Sequence, residues 1–139
     1  MRFWLTLALI APLLGACDVQ LRREHVLACR PDEQPLVRDT LYFGAALPGG
    51  GEVDESAWRQ FERDVLTPAF AQGFSVLDAR GNWRGNDGET RGERSRIVVI
   101  VHADSEPLAR AVRDVAARYR ERFQQESVLH EHDVVCAQF

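Results

Sequence analysis

His130 and His132 stand two apart in a run of strand-forming residues, so their imidazoles share one face and, with His102, could offer three nitrogens to one metal ion. Local spacing fixes no third ligand, and His130, Glu131, His132 and Asp133 read as a solvated edge; no metal and no other cofactor is expected. Tyr42 and His102 form a second chemical pair, a phenol and an imidazole that could move a proton on a small molecule if one cavity held both. No nucleophile, base and orienting group are fixed together by spacing, so catalysis is the alternative reading and not the leading one. Pro48-Gly49-Gly50-Gly51 ahead of a helix invites a phosphate loop. No Gly-Lys-Ser/Thr follows, and Glu52, Asp54 and Glu55 crowd the place of an anion, so the glycines read as a turn. Arg118, Arg120 and Arg122 fan around a helix and read as solvated.

The cysteines bear on compartment. Arg2, the apolar run from Phe3 to Leu14, and Leu14-Gly15-Ala16-Cys17 resemble a bacterial lipoprotein signal, with residues 1–16 as the signal peptide and Cys17 as the lipidated first residue. Cys29 and Cys136 then remain as a pair in an exported protein, where a disulfide is the expected state. Residues 17–36 contain Pro31 and Pro35, lack an apolar period, and read as a tether to the membrane. The formal charge of −4 gives no electrostatic footprint for nucleic acid, and all 17 basic side chains are arginine.

The elements that would position these groups follow from periodicity. Val37, Asp39, Leu41 and Phe43 alternate with Arg38, Thr40 and Tyr42 as in a strand. Asp54 can cap a helix in which Val53 staples to Trp58 and Phe61, Val65 and Leu66 share a face, and Pro68 should end it near Thr67. Phe74 to Ala79 is a strand that can run on through Trp83 with a bulge at Gly81, before the Asn86-Asp87-Gly88 turn. Ser95 to His102 is apolar on both parities and suits the centre of a sheet. Leu108, Val112, Val115, Tyr119 and Phe123 recur at helical spacing behind Asp104, Ser105 and Pro107, and a last strand spans roughly Ser127 to Val135. This order predicts an α+β domain over residues 37–139 with the ferredoxin-like split βαβ arrangement (βαββαβ), an antiparallel sheet carrying both helices on one face. Its first and last strands would be neighbours, which brings Cys136 beside Cys29.

Leu41-Tyr42-Phe43-Gly44, Pro48-Gly49-Gly50-Gly51-Glu52-Val53 with Trp58 and Phe61, Thr67-Pro68, Gly81-Asn82-Trp83-Arg84 and Arg122-Phe123-Gln124-Gln125-Glu126-Ser127-Val128-Leu129 together resemble a family of small bacterial exported proteins, domain of unknown function 3574. That resemblance covers nearly the whole expected domain and implies no activity, cofactor or catalytic residue.

The sheet face away from the helices is the expected working surface, with Tyr42, Arg38 and Thr40 placed beside Arg96, Val98, Ile100 and His102. Apolar surface there calls for cover by a second copy, a protein partner or a ligand. The leading expectation is a lipoprotein anchored to a bacterial membrane on its periplasmic side and acting as a binding or accessory module. A small cofactor-independent enzyme with a pocket on the open face is the alternative.

Overall fold

The computed structural model describes residues 28–139; the signal-like segment, Cys17 and most of the expected tether lie outside the described residues. Strand β1 (Gln34–Gly44) begins three residues earlier than its alternation suggests, because Leu36 is already buried and the pairing with the last strand starts at Gln34. Gln34, Pro35 and Leu36 thus belong to the sheet and not to a tether. After the glycine turn, where Gly50 and Gly51 take positive φ of 90° and 84°, helix α1 (Glu55–Phe61) opens with the Asp54 side chain accepting from the Ala57 N–H at 2.8 Å.

Pro68 does not end this helix near Thr67. The chain passes through a π-helical turn (Glu62–Leu66) into α2 (Thr67–Ala69), with the Thr67 N–H donating to the Glu62 carbonyl five residues back. Proline has no N–H and its ring crowds the carbonyl four residues before it, and the wider turn absorbs both conflicts.

Strand β2 (Ser75–Arg84) and strand β3 (Thr90–His102) form a long hairpin in continuous register from Ser75 opposite Val99 to Arg84 opposite Thr90, so Gly81 makes no bulge. Helix α3 (Glu106–Phe123) starts with Pro107 in its first turn and stops at Gln124, which adopts the left-handed conformation. Strand β4 (Leu129–Ala137) closes a four-stranded sheet in the order β2-β3-β1-β4, antiparallel at every junction. The helical segment from α1 to α2 and helix α3 pack on one face of this sheet, an α+β arrangement whose core holds Leu41, Phe43, Trp58, Phe61, Val98, Ile100, Val112, Val115 and Tyr119. Phe43 and Tyr119 meet edge to face with ring centroids 4.6 Å apart, a geometry worth about 0.5–1.5 kcal/mol beyond the area buried.

Neighbouring β1 and β4 place Cys136 opposite Pro35, and Cys29 is bonded to Cys136 with Cα atoms 5.4 Å apart. The disulfide fastens the entry of the first strand to the exit of the last.

Candidate functional site: an open-face cleft around Tyr42

Register decides which expected site residues meet. Leu41 stands opposite Val98, and Tyr42 opposite Ile97. Residues directly opposite share a face, so Val98 and Ile100 lie under the helices with Leu41, while Tyr42 lies on the other side. The expected contact surface of Tyr42, Arg96, Val98, Ile100 and His102 is therefore split. Val98 and Ile100 are 0% and 2% exposed and belong to the core. Arg96 is also on the helix side, where its guanidinium lies 5.0 Å from the Trp58 ring centroid and pairs with Glu55 and, at 3.6 Å, with Asp78. A cavity of about 420 Å³ lies over this arginine between α1 and β2, lined by Glu55, Arg59, Glu62, Arg63 and Asp78. Its charges already answer one another.

The open face keeps Tyr42. A cleft of about 500 Å³, a size suited to a small molecule, runs from Tyr42 over Gly44 to Trp83 and is closed by residues 46–48 and 124–127. Tyr42 lines it and donates its hydroxyl to Glu131 Oε2 at 2.8 Å, on the neighbouring strand β4. The hydrogen bond to that carboxylate, which ionisation would break, holds the phenol's ionisation above its ordinary value, and burial and the carboxylate's negative charge act in the same direction. Trp83 also lines it and is 42% exposed, which leaves part of its aromatic surface open.

Several contacts hold the cleft in shape. The Glu93 carboxylate sits over Gly44 and accepts from the Ala46 N–H at 3.2 Å; a Cβ on Gly44 would fall 2.6 Å from its Oε2. Gln125 Nε2 donates to the Ala46 carbonyl at 2.7 Å, and Glu126 Oε2 accepts from the Asn86 N–H at 3.2 Å, tying the hairpin tip to the segment after α3. Asp87, Glu93 and Glu126 against Arg91 leave the cleft with an excess of negative charge. The sequence reading missed Trp83, Glu93 and Glu131 as site residues; the signal for Glu131 is its parity with Tyr42 on an adjoining strand.

His102 does not join Tyr42. It lies on the helix side, 5% exposed, with its Nε2 2.7 Å from Asp39 Oδ2 and its Nδ1 2.7 Å from the Ala103 carbonyl. Asp39 is 1% exposed and its other oxygen meets both histidines of β4, His130 Nε2 at 2.7 Å and His132 Nδ1 at 2.9 Å. Burial alone would push the Asp39 carboxyl up, but the hydrogen bonds from His102, His130 and His132 outweigh it and hold the group below its ordinary value. Asp39, His130 and His132 are the described residues whose ligand atoms could converge on one metal ion. The sequence offered His102 as a third nitrogen without fixing it by spacing, whereas the structure gathers Asp39 with the two histidines. An acidic residue in the apolar row Val37, Leu41, Phe43 is the signal that would have found it.

Two solved structures share this fold. A phage SAM lyase in complex with S-methyl-5'-thioadenosine superposes with a TM-score of 0.59 and 17% identity over 82% of this chain and 95% of that one. A phage SAM lyase in the apo state gives 0.55 and 20% identity over 81% and 96%. No curated protein matches the chain in sequence. The fold is one that an enzyme uses, which corrects the expectation of a binding or accessory module and of a chain more plausibly without activity. The lipoprotein, palmitate, membrane-partner and periplasmic expectations came from the signal-like segment, and they are withdrawn against the likeness to the two phage enzyme structures. No helix among the described residues is long and apolar enough to cross a membrane, and the segment that suggested an anchor lies outside them. Residues 38–139 match the family described as Protein of unknown function (DUF3574), and the chain belongs to that family.

Proposed function

We propose that this protein is a small enzyme acting on a small molecule held in the open-face cleft, with Tyr42 and Glu131 as its proton-transferring pair. The observation that carries the reading is that Tyr42 lines the 500 Å³ cleft and its hydroxyl is bonded at 2.8 Å to a carboxylate that can take its proton. When the phenol oxygen takes a proton from a bound molecule, its own proton passes to Glu131, so the pair acts as a base without a free phenolate. Phe replacing Tyr42 would break this relay and leave the cleft's shape.

The substrate class follows from the lining. An exposed indole offers a stacking surface and the surplus of carboxylates attracts positive charge, a combination suited to a heteroaromatic molecule bearing a cation. A nucleoside sulfonium or its thioether product has these parts, and a phage enzyme of the same fold binds S-methyl-5'-thioadenosine. We read the fold itself as the ferredoxin-like split βαβ, supported by the alternation of strands and helices and by the order β2-β3-β1-β4, with a single domain that adds residues 34–36 to the expected 37–139.

Equilibrium binding of SAM and of S-methyl-5'-thioadenosine to the full-length protein tests the assignment. Saturable binding is expected, weakened about tenfold in Trp83→Ala for loss of one stacking partner worth roughly 1–3 kcal/mol. Absence of binding by either compound, or equal affinity in Trp83→Ala, would overturn it.

A further inference from the structure

On the opposite face of the sheet, we propose that Asp39, His130 and His132 bind a divalent first-row transition metal ion, with His102 as the residue that orients the carboxylate. The proposal is independent of the cleft. His130 and His132 point to the helix side of β4, whereas Glu131 between them points to the open side and holds Tyr42.

Three observations carry it. The donor set is two imidazoles and one carboxylate, a combination that suits zinc, iron, cobalt or nickel and that hard cations such as calcium do not select. The donor atoms are already gathered: His130 Nε2 and His132 Nδ1 lie 2.7 and 2.9 Å from Asp39 Oδ1. Adjacent tetrahedral ligands with bonds of about 2.1 Å stand roughly 3.4 Å apart, so these atoms need to spread by only about half an ångström to take up an ion. The ion would replace the N–H protons that now bridge these pairs.

The carboxylate is also held as a ligand must be. Asp39 uses its two oxygens for different tasks, Oδ1 toward the two β4 histidines and Oδ2 toward His102. His102 is itself fixed by the Ala103 carbonyl, which makes a chain of backbone, imidazole and carboxylate behind the site. In front, the side chains of His130 and His132 are 33% and 56% exposed, so the remaining coordination positions open to solvent and admit water or an exchangeable ligand. A purely structural network would need only one imidazole on Asp39; the two exposed ones add little packing.

The test is calorimetric titration of the untagged full-length protein with Zn²⁺. One equivalent should bind the wild type, at least tenfold more weakly in either His130→Ala or His132→Ala, and not at this site in the double variant. Both histidines are solvent-accessible, so these variants keep the core, and a thermal melt confirms folding. Asp39→Asn retains the side-chain shape and should lose the same equivalent. No binding beyond that of the double variant would overturn the proposal and leave a hydrogen-bonded cluster; tight binding undiminished in the double variant would overturn it as well, by placing the ligands elsewhere. Neither result bears on nucleoside binding by the cleft.

Discussion

Glu93 occupies the space above Gly44 that any other residue would need for its Cβ. Gly44→Ala should therefore act on the cleft more than on the fold, because the atoms displaced are the free end of a flexible carboxylate. We expect a stability change within about 1 kcal/mol in denaturant unfolding, as for a surface substitution, together with weakened ligand binding as Glu93 leaves the Ala46 N–H. The double variant Gly44→Ala with Glu93→Ala should lose no more affinity than Glu93→Ala alone; additive losses would show that the glycine acts by another route. Tyr42 differs from Gly44 in that its hydroxyl makes no bond that supports the core. Its role in the account is chemical, and its removal should spare the fold.

At the scale of elements, both long helices, all four strands and the pairing of the cysteines could be read from the sequence, because each rests on local periodicity or on elimination. Helix α1 starts at Glu55 directly behind its Asp54 cap, as capping chemistry requires. The split of the expected surface has a different origin. Along β3, Val98 and Ile100 alternate with Ile97, Val99 and Val101, so both parities are apolar and periodicity cannot say which one faces the helices. Only the antiparallel register, with Leu41 opposite Val98, decides it. Arg96 and His102 reinforced the wrong parity, since a charged and an ionisable residue look like surface. Each is buried because a partner distant in sequence receives it: Trp58 and Glu55 for Arg96, Asp39 for His102. Pro68 misled for a related reason, its local preference being met by one π turn. The cleft was the least legible feature, because Trp83, Glu93 and Gln125 come from three separate segments and meet only after folding.

For the molecule as a whole, the face with the helices supplies stability and the opposite face supplies the site, and Tyr119 links them. It is buried in the core and donates to the Gly44 carbonyl at 2.8 Å, directly behind the cleft floor. Burial pushes its ionisation well above the ordinary value of 10.0, so the folded protein keeps a proton that the unfolded chain releases near that pH. Its contribution is complete below pH 10 and declines as pH rises beyond it toward the folded value. Chemical denaturation across this alkaline range should show stability falling with pH, and Tyr119→Phe should flatten that slope. An unchanged slope would assign the alkaline loss to other groups. The central claim concerns the cleft, and turnover tests it most directly. Full-length wild type and Tyr42→Phe, matched by their melting temperatures, would be incubated with SAM and the nucleoside products followed by chromatography and mass spectrometry. The account predicts a thioether nucleoside formed by the wild type and a rate lower by about 10²–10⁴-fold in Tyr42→Phe, the usual worth of a positioned acid–base group. No product from the wild type, or equal rates in the two proteins, would contradict it.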